Sequence, residues 1–180
     1  TMTTTHEKTI DALVELVNKG VISGIDVLNT MFSSEIRPDT PNIKIVDASD
    51  FDRKPEESEG SPFAIVEMGF KGGLKGTSGL VFPKENASKF VEKFAGDDSD
   101  IGEFDFVSEG VLTEIGNIVL NRVMGVISNA LSLNLDYIVP SYFQGELEKL
   151  WTSPSNNTGL VATTKFVVDN FDGEGNIIIF

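Results

Sequence analysis

Residues 11–18 read Asp-Ala-Leu-Val-Glu-Leu-Val-Asn, and residues 110–117 read Gly-Val-Leu-Thr-Glu-Ile-Gly-Asn. In each stretch a glutamate, Glu15 or Glu114, is followed three residues later by an asparagine, Asn18 or Asn117, and no other glutamate has asparagine at that spacing. Pro41 and Pro140 stand at equal distances beyond the two asparagines, so Glu, Asn and Pro all recur at an offset of 99 residues. Gly76 and Gly175 keep the same offset. A register held over so long a span implies a duplicated half-domain, with the polar pair kept in both copies.

Around the first motif, Leu13, Val17, Val21, Ile25, Leu28 and Phe32 fall at intervals of three and four, which predicts a long amphipathic helix from His6 to about Phe32. A turn-rich stretch, Ser34 to Asn42, ends it, and Ile43 to Val46 alternates as a short strand does. After an acidic loop from Asp47 to Ser61, Phe63–Phe70 and Thr77–Phe82 flank the glycine-rich turn Lys71–Gly76 as a hairpin. Pro83 to Phe94 reads as a short helix, with proline at its start and Gly96 past its end.

The second half repeats the order. A helix from Glu103 or Phe104 to Leu133 buries Leu112, Ile115, Val119, Val123, Met124, Ile127 and Leu131. Leu135–Val139 reads as a strand that Ser141–Trp151 either extends or follows with a helical turn. Leu160–Val168 and Asn176–Phe180 read as a hairpin turning at Asp172–Gly175. The expectation is an α+β fold with pseudo-twofold duplicated half-domains, its two long helices packed on one face of an antiparallel sheet. Residues 1–180 then form one domain, with repeats at about 6–96 and 103–180.

Composition narrows the chemistry. Without cysteine, disulfides, zinc–thiolate sites and cysteine nucleophiles are excluded, and the single His6 lies near a terminus, which argues against Ser-His catalysis. A net charge of −14 repels a phosphate backbone and argues against nucleic-acid binding. No apolar run approaches bilayer-spanning length and no secretory pattern opens the chain, so a cytoplasmic protein with no membrane partner is expected. Gly72, Gly73 and Gly76 with Lys71 and Lys75 lack Walker spacing and suit a hairpin turn better than a phosphate cradle. The acidic runs 56–59 and 97–100 lack the EF-hand pattern, and no metal-binding spacing occurs. Tyr142, Phe143 and Trp151 are read as core, or else as an exposed patch for a second partner.

On a helix, Asp11, Glu15 and Asn18 share one face, as do Glu114, Asn117 and Asn121, with Gly110 in the place of Asp11. Taken alone, one such pair is an ordinary solvated helix surface; the doubling is what singles it out. Asp or Ser, then Glu four residues on, Asn three after that and Pro twenty-three later resembles the signature of the CheC/CheX/FliY family, phosphatases of the chemotaxis response regulator CheY. Asp11, Glu15, Asn18 and Pro41 match it in full, and two copies resemble a stand-alone CheC more than CheX. The resemblance implies a CheC-like fold and a catalytic set of Glu15, Asn18, Glu114 and Asn117. It implies that asparagine orients the attacking water while glutamate binds the partner's active-site lysine. It also implies that the Mg²⁺ belongs to the regulator, so this chain has no cofactor of its own, and that CheD is a further partner to consider. The alternative reading is a non-catalytic module that docks a regulator or CheD.

Overall fold

The computed structural model describes residues 2–38, 42–47, 63–95, 106–145, 158–168 and 171–179, with residues 2–6, 38, 42–47, 95, 106–107, 158–168 and 171–174 described by backbone alone. In chain order the elements are α1 (Met2–Phe32), β1 (Ile36–Pro38), β2 (Asn42–Asp47), β3 (Phe63–Gly72), β4 (Gly76–Pro83), α2 (Lys84–Ala95), α3 (Phe106–Ala130), β5 (Leu135–Tyr137), β6 (Ser141–Gly145), β7 (Thr158–Val168) and β8 (Phe171–Ile179). Pro41, the acidic runs 56–59 and 97–100, and Trp151 lie outside the described residues.

The strands form one antiparallel sheet in the order β1-β7-β8-β4-β3-β5, with β2 also pairing with β7 and β6 with β3. The pairing is symmetric in the two halves. β1 and β2 of the first half lie on β7 of the second, β5 and β6 of the second lie on β3 of the first, and β4 meets β8 between them. The α+β architecture with three helices packed on an antiparallel sheet is thus the expected one.

Alternation along β3 builds two cores. Ala64, Val66, Met68 and Phe70 face the helices and join Val17, Val21, Ile25, Leu28 and most of the α3 stripe. Ile65 faces the other way and joins Val81 and Ile178, with Phe63 and Phe143 against them. Tyr142 packs against the helix-side core, so neither aromatic of that pair belongs to a free patch.

Both long helices end in the same way. Ser33 and Ser132, 99 residues apart, take left-handed backbone with φ of 50° and 53°. The Ser34 N–H donates to the Asn29 carbonyl at 3.2 Å, and the Leu133 N–H to the Ser128 carbonyl at 2.8 Å, the closing bond of a Schellman cap in each case. This cap stops α3 at Ala130, short of the Leu133 expected, and leaves Leu131 exposed rather than buried in the stripe.

Three further expectations are corrected. Ile36–Pro38, within the stretch read as a turn, is a strand because Ile36 pairs with Val168 and Pro38 with Phe166. The last hairpin turns between Val168 and Phe171, and Asp172–Gly175 belong to β8, where Glu174 faces Lys165. Ser108–Ala130 is by length and composition apolar enough to cross a membrane, contrary to the composition reading; here it is the core helix, seated on α1 and the sheet.

The offset also changes along the chain. Asn42 and Ser141 keep 99, but they face Thr163 and Glu67, whose separation is 96. The counterpart of Gly76, which faces Phe70, is therefore Gly173, which faces Phe166, and not Gly175.

Candidate functional site

Each Glu–Asn pair lies on the outer flank of its helix, at the edge of the buried stripe. Glu15 and Asp11 are exposed on α1 and Asn18 is half-buried beside buried Val17 and Val21. On α3, Glu114 and Gly110 are exposed and Asn117 is half-buried beside buried Ile115 and Gly116. A long carboxylate standing clear of the surface next to a shorter carboxamide anchored at the core margin makes a charged arm beside a more fixed polar group.

Close packing fixes these flanks. A Cβ on Gly20 would stand 2.5 Å from the Val123 Cα, and one on Gly24 3.2 Å from the Val119 Cα. The two contacts exchange under the 99-residue offset, because Gly20 corresponds to Val119 and Gly24 to Val123. They also make the helices antiparallel, with Asn18 level with Gly125, eight residues from Asn117, or roughly 12 Å along the common axis. The motifs are therefore two separate sites.

Gly116, inside the second motif, has a role that spacing alone does not reveal. A Cβ there would lie 2.4 Å from Cγ1 of Val66, so glycine lets α3 settle onto β3 at the turn that carries Glu114 and Asn117. The sequence signal was a glycine inside an apolar helical stripe, a residue that weakens a helix unless close approach requires it.

The two sites differ in hydrogen bonding. Nδ2 of Asn121 donates at 2.7 Å both to the backbone carbonyl of Asn117 and to its side-chain Oδ1. On α1 the corresponding residue is Ile22, 41% exposed. Among the described residues the Asn18 carboxamide has no hydrogen-bond partner.

Pro140 is half-buried between β5 and β6, after the exposed Tyr137, Ile138 and Val139. The glycines of the Lys71–Gly76 stretch serve the hairpin. Gly72 has φ of 130°, and the Gly73 N–H donates to the Asn134 carbonyl at 3.1 Å. Among the described residues no three acidic or histidine side chains gather as a cation site.

No family profile matches the sequence, and no curated protein sequence is significantly similar to it. Solved structures are similar in fold. FliY of Thermotoga maritima has 14% identity and a TM-score of 0.73 over 93% of this chain and 87% of its own. The FliM middle domain of H. pylori has 13% identity and a TM-score of 0.70 over 95% and 91%. CheX of Borrelia burgdorferi, in a complex with CheY, BeF₃ and Mg²⁺, has 20% identity and a TM-score of 0.59 over 92% and 97%. The chain has the fold of the CheC/CheX/FliY proteins, the one its doubled motif resembles. At these identities the likeness establishes the fold; the site's chemistry has to be argued from the residues.

Proposed function

We propose that this protein hydrolyses the aspartyl phosphate of a CheY-type response regulator in the cytoplasm. The observation that carries the reading is the doubled Glu–Asn pair held at the helix surface, each glutamate exposed and each asparagine within reach of a partner. The solved complex of CheX with CheY, BeF₃ and Mg²⁺ supports a CheY-type partner for this fold.

An acyl phosphate is reactive, so a catalyst chiefly has to position water and accommodate charge as it spreads over the phosphoryl oxygens. The water oxygen bonds to phosphorus while the bond from phosphorus to the aspartyl oxygen breaks. The regulator's carboxylate leaves with the electron pair, and the water's proton ends on the inorganic phosphate or solvent. The carboxamide oxygen of Asn18 or Asn117 accepts a hydrogen bond from the water and holds it in line. Asparagine is not a base at neutral pH, so its work is orientation. Glu15 or Glu114 pairs with the regulator's lysine and sets the docking register. The Mg²⁺ would be held by the regulator rather than by this chain, and would supply neutralisation of phosphoryl charge.

The test is release of phosphate from a phosphorylated CheY-type regulator with Mg²⁺, using the intact protein and the Asn18→Ala, Asn117→Ala and double variants. Acceleration by the intact protein and loss of roughly 10²-fold in the double variant are expected, the scale of one preorganised polar group. An unchanged rate in the double variant rejects the mechanism.

A second reading is a docking module for a regulator or for CheD that acts by occupancy. It draws support from the FliM middle domain of H. pylori, which shares this fold and is solved in a complex with FliG. Binding without acceleration favours it.

A further inference from the structure

The two motif carboxamides are held differently, that of Asn117 gripped by Asn121 and that of Asn18 by no described residue, and this assigns them different work. At an amide side chain the oxygen and nitrogen are told apart by their neighbours. For Asn121 the neighbour decides: the side-chain atom 2.7 Å from the Asn117 backbone carbonyl has to be a donor, hence Nδ2. That same Nδ2 lies 2.7 Å from the Asn117 side chain, so the atom it meets has to be an acceptor, hence Oδ1. The oxygen of Asn117 is thereby drawn along the helix toward Asn121, leaving its NH₂ as the end available to a partner.

Water held for in-line attack has to be gripped through a proton, by an acceptor. An outward NH₂ is a donor and suits a phosphoryl or carboxylate oxygen instead. On α1 the residue one turn on is Ile22, which has no donor, so Asn18 is free to turn Oδ1 outward. Asp11 precedes Glu15 on that helix, whereas Gly110 precedes Glu114.

We infer that Asn18 is the water-orienting residue of the working site and that Asn121 is a positioning residue that holds Asn117 with its donor outward, keeping the second site in a docking role. This rests on the phosphatase reading above.

The experiment is phosphate release from a phosphorylated regulator with Mg²⁺, resolved into kcat and KM. Asn18→Ala should lower kcat by about 10²-fold, whereas Asn117→Ala, which removes a docking contact, should act chiefly by raising KM. In the Asn18→Ala background, Asn121→Ile, which copies the α1 arrangement, should restore kcat by about tenfold or more by freeing the Asn117 oxygen. Asn121→Ala should act in the same direction, and alanine favours helix, which separates the effect from misfolding. A merely structural role for Asn121 predicts no gain. Loss of activity in Asn117→Ala with Asn18→Ala unaffected overturns the assignment while leaving the phosphatase reading intact. So does failure of both Asn121 substitutions to restore kcat in folded protein. An intact protein that binds the phosphorylated regulator without accelerating phosphate loss removes the phosphatase reading itself, and this assignment with it.

Discussion

Single side chains carry measurable consequences well away from the motif. The Asn29 side chain clasps the chain after α1: Nδ2 donates to the Ile36 carbonyl at 3.1 Å, while Oδ1 accepts from the Ile36 N–H at 2.8 Å and from the Ser34 hydroxyl at 3.0 Å. Replacing it by alanine leaves partly buried backbone groups unpaired, and chemical denaturation of Asn29→Ala should show a loss of about 1–3 kcal/mol. Glu67 sits half-buried on β3, and burial raises its carboxyl above the ordinary 4.5. The folded state therefore holds this proton more tightly than the unfolded state. The group's contribution to stability falls as pH rises through the interval between 4.5 and its raised folded-state value. Glu67→Gln should modestly raise the melting temperature at neutral pH, with the gain shrinking as pH falls through that interval. A gain that grows toward acid would contradict this sign. At this scale the sequence exposed Glu15, Asn18, Glu114 and Asn117 by their spacing, and placed Asn121 one turn beyond. It did not show that Asn121 turns the Asn117 amide, because that depends on atomic direction rather than on residue order.

The helices were legible because three- and four-residue apolar spacing survives in both, and the end of α1 at Phe32 was legible from the turn-rich stretch beyond it, but the end of α3 at Ala130 was not. Serine rather than glycine occupies the left-handed position at each helix terminus, so the usual stop signal is missing. β1 was illegible for a different reason. Three residues ending in proline carry little strand pattern, and only the facing β7 makes them a strand. The glycines of α3 give opposite predictions. Nothing lies within 4 Å of a Cβ added at Gly110, so Gly110→Ala should raise stability by about 0.5–1 kcal/mol. At Gly116 the added Cβ meets Val66 at 2.4 Å, and Gly116→Ala should cost about 1–3 kcal/mol unless Val66 is trimmed. Because the Val66 Cβ itself would stand 2.7 Å from the added Cβ, the partner change is Val66→Gly: a smaller cost of Gly116→Ala in that background would confirm contact with β3, and an equal cost would locate it elsewhere.

For the whole molecule, charge and topology set behaviour that no single residue reports. A net charge of −14 opposes docking of another acidic protein, and added salt screens that repulsion. With an acidic regulator, kcat/KM should rise between low and physiological ionic strength; a steep fall would mean that the Glu–lysine contact outweighs the net field. The duplication was legible as a recurring motif, yet not its effect on strand partners. Sequence reading paired the two hairpins, which hold as β3–β4 and β7–β8, but gave no partner to the strands before and after them; the sheet places β2 on β7 and β5 on β3, each in the opposite half. Asn42 finds Thr163, more than a hundred residues downstream. During synthesis β1 and β2 must wait, unpaired, until β7 has left the ribosome, so neither half completes its sheet alone. Such non-local closure slows folding and couples the halves. A single cooperative unfolding transition is expected by calorimetry, and separately expressed halves should acquire native structure only when mixed, as complementing fragments of one interlocked sheet.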